Sequence, residues 1–295
     1  MMRNRPHRAL GLTLIEMTLV IATMALLVGF ALPAVRSLVH SFQSEGAVKS
    51  MIDAALSSAR AMAMSRQTYV GVRFQKQYST LDASAPLQGL LEAPQYMIFI
   101  MHDPDAEPNG TGYADGFRAF EGVEPIKLPD SFAVMDLMRV ERVSNALGNQ
   151  ITFSEGPLNV DLDSAPELAR FAARLRDTTT FSVVFSPAGR LVVHGVRVWN
   201  RHGRRAGEAV LSTDQVFNAP AQVVNPNVKA MFYQDDFPPE TGLGPESSRT
   251  RFVVFEKTSL REACQRNVPW KGYLERLSTQ PIYVSPYTGR LISAD

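Results

Sequence analysis

Only one cysteine occurs in the 295 residues, Cys264, so no intrachain disulfide can form and pairing says nothing about redox compartment. A catalytic thiol would need a histidine partner and a cleft, and neither is legible; Cys264 reads as a small buried apolar residue. The five histidines, His7, His40, His102, His194 and His202, are scattered, and none has a metal-ligand spacing such as H-x-x-x-H. There is no G-x-S-x-G elbow, no P-loop and no G-x-G-x-x-G, so nothing argues for an enzyme and no cofactor is implied. The formal charge of +1 gives no global reason to expect nucleic acid or acidic partners. No internal repeat or low-complexity tract appears. What remains, 45% hydrophobic and 20% charged residues, is ordinary for one sizeable soluble domain or one domain plus an appendage.

The amino terminus is the informative part. Residues 1–11, "MMRNRPHRALG", carry Arg3, Arg5 and Arg8 and no acid. "LTLIEMTLVIATMALLVGFAL", residues 12–32, follows with Glu16 as its only charge. As a helix this run spans roughly 30 Å, the thickness of a bilayer core. Basic residues before it and none soon after predict an in-to-out orientation. Three readings compete. A secretory signal would place its apolar core at about residues 17–28 and its cleavage site at "GFA", 29–31. A plain membrane anchor leaves Glu16 without a role. The third reading accounts for the glycine, the glutamate and the length together.

Gly11-Leu12-Thr13-Leu14-Ile15-Glu16, after a basic leader and before an apolar stretch, resembles the class III signal of type IV pilins and type II secretion pseudopilins. Pro33, twenty-two positions after Gly11, stands where pilins commonly carry a helix-kinking proline. The resemblance implies that prepilin peptidase cuts between Gly11 and Leu12 and then methylates Leu12, where the family most often has Phe. Cleavage removes three arginines and takes the formal charge from +1 to −2. It also creates an α-ammonium four residues from Glu16. Opposite charges in a low-dielectric place make a strong registering contact, within one helix or between subunits. Thr13 and Glu16 are thereby assembly residues, and Pro33 a kink. The competing reading has Glu16 snorkelling to the nearby interface.

Past Pro33, Val35, Leu38, Val39 and Phe42 share a face, and Val48, Met51, Ile52, Ala55, Leu56, Ala59, Met62 and Ala63 continue it at 3–4 spacing. One helix from Leu12 to about Arg66 would be roughly 80 Å long, with Pro33 and Gly46 as kinks. "AALSSARAMAMSRQTYVGVRF", residues 54–74, is similar to the GspH/FimT group of minor pseudopilins and minor pilins, through Leu56, Ala59, Arg60, Ala63, Arg66, Val70, Val72 and Phe74. "FSPAGRLVV", 185–193, is a weaker match, a hairpin turning at Pro187 and Gly189.

The fold class implied is α+β and pilin-like: a long N-terminal α-helix, transmembrane in its first half, packed on an antiparallel β-rich head. The divisions are a leader at 1–11, a transmembrane and filament-core helix at 12–33, its amphipathic second half at 34–67, and a periplasmic head at 68–295 with insertions about 75–130 and 219–280. Tyr69–Phe74 reads as the first strand, Val70, Val72 and Phe74 inward and Gly71 and Arg73 outward. Further strands are expected at 95–102, 131–140, 150–153, 180–185, 191–199, 213–217 and 251–256, and a closing hairpin at 283–292. Helices are expected at 166–177 and 258–277. Residues 219–249 are Pro/Gly-rich and read as loop.

Two clusters bear chemistry. Asp103, Asp105, Glu107 and Asn109, with Asp115 and three glycines, offer oxygens at alternate positions for Ca²⁺, but Gly116 stands where the bidentate Glu of an EF-hand-like register belongs. A solvated loop is the plainer reading. Arg197, Arg201, His202, Arg204 and Arg205 surround Trp199, a composition suited to DNA, against the plainer reading of an exposed basic hairpin tip. The resemblance implies a structural subunit of a type II secretion pseudopilus or type IV pilus, supporting protein secretion. It resides in the inner membrane with its head in the periplasm, then in the filament. Its partners are other (pseudo)pilins, prepilin peptidase and the inner-membrane assembly platform. A DNA- or surface-binding pilus-tip protein and a secreted soluble protein are the alternatives.

Overall fold

The computed structural model describes residues 14–15, 17–24, 26–27, 45–77, 91–103, 116–144, 151–158, 175–201, 212–223, 225, 227, 230–235, 246–266 and 269–293. The chain divides into two units, Met1–Ala47 and Val48–Asp295.

Helix α1 (Glu45–Arg66) has an acid in its first turn and a base in its last, both favourable to the helix dipole. It ends at Gln67, whose φ of 54° is left-handed and whose side-chain amide donates to the Met64 carbonyl at 2.7 Å, closing the last turn. Its buried stripe, Val48, Ile52, Ala55, Leu56, Ala59 and Ala63, is small enough to bring the helix close to a sheet.

That sheet is built around β1 (Val70–Lys76), which pairs antiparallel with β2 (Gln95–His102) and β8 (Phe181–Phe185). Its full order is β13 (Glu246–Ser247), β10 (Gly195–Trp199), β3 (Gly116–Ala119), β2, β1, β8, β9 (Leu191–Val192), with β4 (Ile126–Lys127) pairing β2 off that path. At Gly71 a Cβ would sit 2.5 Å from the Val183 carbonyl oxygen, so the strand runs closer there than any side chain permits. Val70, Val72, Phe74, Phe181, Val183 and Phe185 meet α1 in one core. Ile98, Ile100, Phe117, Val184, Val196, Val198, Phe217 and Phe232 form a second. A smaller sheet, β16 (Leu291–Ser293), β15 (Ile282–Val284), β14 (Arg251–Glu256), β5 (Phe132–Met135), packs with α3 (Lys257–Gln265) and α4 (Pro269–Ser278) around a third. The Gln95 carboxamide joins the two sheets: it accepts from Val134 N (2.7 Å) and donates to Val134 O (3.0 Å) and Thr179 O (2.7 Å), standing in for a strand neighbour. The hairpin β6 (Met138–Ser144) with β7 (Ile151–Pro157) and the pair β11 (Phe217–Asn218) with β12 (Phe232–Tyr233) are the other strands among the described residues, and α2 (Pro220–Val223) is a single turn.

The expected fold class is corrected. The described residues form several β-sheets with shorter helices, and among them there is no long N-terminal helix; α1 has 22 residues. Residues 14–15, 17–24 and 26–27 are also helical. Among the described residues no helix is long and apolar enough to cross a membrane, which corrects the expected single-pass inner-membrane location. The physical reason is that crossing needs length and apolarity in the same helix: the longest described helix, α1, has the length but carries Glu45, Lys49, Asp53, Arg60 and Arg66. Gly11, Leu12, Thr13, Glu16 and Pro33 lie outside the described residues.

Smaller corrections have local causes. The single strand expected at 131–140 breaks between β5 and β6 because Leu137 takes a φ of 58° and the Asp136 carboxylate accepts the Met138 N–H at 2.9 Å. The strand expected at 191–199 is two: β9 pairs β8, while β10 crosses to pair β3. The Ser248 hydroxyl, accepting from His194 N and donating to Val192 O, ties the joint between them. The helix expected at 258–277 is α3 and α4, with Pro269 opening the second as its first residue. Residues 175–178 are helical, the rest of the helix expected at 166–177 lying outside the described residues. The loop expected at 219–249 holds α2, β12 and β13. The expected antiparallel head contains two parallel pairings, β3 with β10 and β11 with β12.

Candidate functional site

Arg73 was expected to face outward from β1. Instead it is fully buried, because a central strand has both faces covered. A buried guanidinium must have partners. Its Nη1 donates to Glu246 Oε1 at 2.6 Å, its Nη2 to Asp235 Oδ1 at 3.0 Å and its Nε to Gln75 Oε1 at 2.7 Å. Ser182 Oγ adds a donor to Glu246 at 3.0 Å, and Asp235 Oδ2 accepts from Val198 N at 2.8 Å. A second knot lies three residues beyond Glu246. Arg249 Nε donates to Asp136 Oδ2 at 2.5 Å and Nη1 to Glu155 Oε2 at 2.7 Å, while Arg249 N donates to Ser182 O at 2.7 Å. Glu155 Oε1 accepts from Ser247 N at 2.5 Å. Ser182 thus touches both knots, and together they tie the large sheet to the β6–β7 hairpin and to the turn after β5.

Two guanidinium groups face four carboxylates here, so full ionisation leaves the cluster anionic. Burial pushes Asp136 up to about 7 despite Arg249 beside it. Burial also pushes Glu246 up to about 8, Arg73 opposing and Asp235 reinforcing, since two carboxylates share one guanidinium. Burial works to lower Arg249, but Asp136 and Glu155 outweigh it and hold the group above its ordinary value. The Ser182 hydroxyl has no imidazole or lysine to activate it among these contacts. The chemistry the cluster supports is that of a charged clamp.

Other expected site residues are placed singly. Arg197 lies over the Trp199 ring, 5.9 Å from its centroid, but the indole is fully buried and offers no platform for a base. Arg201 pairs with Glu121 at 3.3 Å, its N–H donates to Asp214 Oδ2 at 2.7 Å, and its carbonyl accepts from Arg118 at 2.6 Å. It lines a surface groove of about 580 Å³ with Phe120, Val123, Val216 and Met231. Arg204 and Arg205 lie outside the described residues. Asp103 pairs with Arg118 at 3.1 Å, while Asp105, Glu107 and Asn109 lie outside the described residues. Among the described residues no group of three or more acidic, histidine or cysteine side chains is placed to hold a metal. Cys264 is half-buried, and burial pushes its thiol up to about 11, away from the reactive thiolate.

Two residues singled out separately in the sequence meet in the structure. Arg60 of α1 donates from Nε to the Gly189 carbonyl at 2.8 Å. Gly189, at φ 71°, closes the turn of the "FSPAGR" hairpin. Sequence reasoning missed the clamp, whose members are far apart in the chain. The one available signal was an arginine in a strand between Val72 and Phe74.

The chain matches no family model, no curated protein and no solved structure.

Proposed function

We propose that this chain is a structural subunit of a pilin-type filament, a minor pseudopilin or minor pilin of the GspH/FimT kind. It is cleaved after Gly11 and supports protein secretion through a type II secretion pseudopilus or serves a type IV pilus. The observation that carries this is the apolar row between positions 14 and 27. Leu14, Ile15, Leu19, Ile21, Leu26 and Leu27 are all more than 60% exposed. Apolar surface on that scale is stabilised only by a cover, at about 25 cal/mol per Å². The motif Gly11–Glu16 names the cover as like segments of neighbouring subunits, with Glu16 pairing a freed Leu12 amine. The partners required are other pilin-type subunits, prepilin peptidase and the platform that assembles them. The DNA-binding reading gains nothing from the buried Trp199 and the neutralised Arg201.

Two measurements test the proposal. Mass spectrometry of the mature amino terminus should find Leu12, methylated or not; an intact Met1 or a terminus at Leu32 refutes it. Glu16→Ala should leave processing intact and remove the protein from filament fractions; normal incorporation refutes the assembly role.

A further inference from the structure

Helices α3 and α4 lie side by side, and each turns one stripe toward a common cleft. Ser259, Glu262, Ala263 and Arg266 come from the first, and Tyr273, Arg276, Leu277 and Gln280 from the second. Ser259, Glu262 and Ala263 share one face of α3, with Arg266 at its C-cap, and Tyr273, Arg276 and Leu277 share one face of α4, with Gln280 two residues past its end. The cleft measures about 410 Å³, within the roughly 300–1,000 Å³ of ligand pockets. Its middle is apolar, Ala263 and Leu277, and its rim is basic.

The charge is lopsided. Residues 257–280 hold five cations, Lys257, Arg261, Arg266, Lys271 and Arg276, against two acids, Glu262 and Glu275. Arg261 pairs with Glu92, and Lys257 is buried with its ammonium donating to the Ala93 carbonyl. Arg266 and Arg276 are exposed, and among the described residues neither makes an ion pair. Glu262, four residues before Arg266, forms no bridge with it despite the favourable spacing. Arg276 is held by the face of Tyr273, 5.7 Å from its centroid, and the Tyr273 hydroxyl is anchored on the Glu256 carbonyl at 3.3 Å. A stacked guanidinium is pre-oriented for a carboxylate and gives up little rotamer freedom on binding.

We propose that the α3–α4 cleft binds an acidic peptide segment of a partner protein. Two carboxylates of the peptide meet Arg266 and Arg276, and an apolar side chain between them covers Ala263 and Leu277. Ser259 and Gln280 supply neutral hydrogen bonds at the rim. Glu262 opposes the ligand and sets a ceiling on affinity. A helix C-terminus attracts an arginine by its dipole alone, but that accounts for neither the shared cleft nor the stacked tyrosine. The proposal does not depend on the filament reading.

The test is fluorescence anisotropy of the purified full chain with a fluorescein-labelled Glu-Leu-Glu-Glu-Leu-Glu peptide, beside a Lys-Leu-Lys-Lys-Leu-Lys control. The acidic peptide should bind saturably, more weakly as salt rises, and the basic control should not bind. Arg266→Ala with Arg276→Ala should weaken binding about tenfold or more, with the thermal melt unchanged because both side chains are exposed. Glu262→Gln should tighten it severalfold. Absent saturation at millimolar protein, binding unchanged in the double variant, or weakening by Glu262→Gln each overturns the proposal. A single-stranded oligonucleotide that binds where the peptide does not overturns it in favour of phosphate recognition.

Discussion

On one face of β1, Val70, Val72 and Phe74 pack against the small-residue stripe of α1. On the other, Arg73 and Gln75 are equally shut off from water and reach Glu246, Asp235 and the Tyr233 carbonyl. The apolar face is stabilised by area, which is non-directional, so a shortened side chain costs what its own surface and the cavity it leaves are worth. The charged face is stabilised by geometry. Remove one partner and the others remain buried and unpaired, so the loss is larger than the contact removed.

Four measurements break or sharpen that contrast. Arg73→Ala, which strands Glu246 and Asp235, should cost about 3–5 kcal/mol by urea denaturation. Leu56→Ala, on the buried stripe of α1, should cost about 2–4 kcal/mol, the cavity remaining apolar and dry. Acidity separates the faces without mutation. Asp136 and Glu246 are raised on folding, to about 7 and about 8. The folded chain therefore binds protons that the unfolded chain has released. The stability this contributes is complete below about pH 4 and is lost as pH rises through 7 and 8. Stability should fall by a few kcal/mol between pH 5.5 and 8.5, and Glu246→Gln should flatten the upper part of that slope. A flat wild-type profile would mean that both carboxylates stay ionised. Arg201→Ala, at a pair with both side chains more than half exposed, should change stability by about 0.5 kcal/mol or less.

Legibility from sequence followed locality. The helix ending near Arg66 and the strands at 95–102 and 251–256 rest on neighbours along the chain, and they appear as read, within a residue or so. The Arg60 and Gly189 positions were legible as motif residues, though their contact was not. The expectations that failed needed non-local information. Arg73 looks like an outward residue because alternation assumes one wet face, and only the sheet order shows that β1 is interior. The breaks at Leu137 and at Val193–His194 depend on an Asp136 carboxylate and a Ser248 hydroxyl held by the fold.

By itself, the sequence determined the Ala-rich face of α1 and the alternation that made β1 a strand, and it supplied the Gly11–Glu16 motif that the filament proposal reads as a processing signal. These are short-range properties, carried by residue type and spacing. Only the tertiary structure decided that Arg73, Asp136, Glu155, Asp235, Glu246 and Arg249 share one largely buried region, and that Arg266 and Arg276 share one cleft. Those groups are brought together by strand order and by the breaks between elements, and a charge acquires its consequence from what surrounds it after burial.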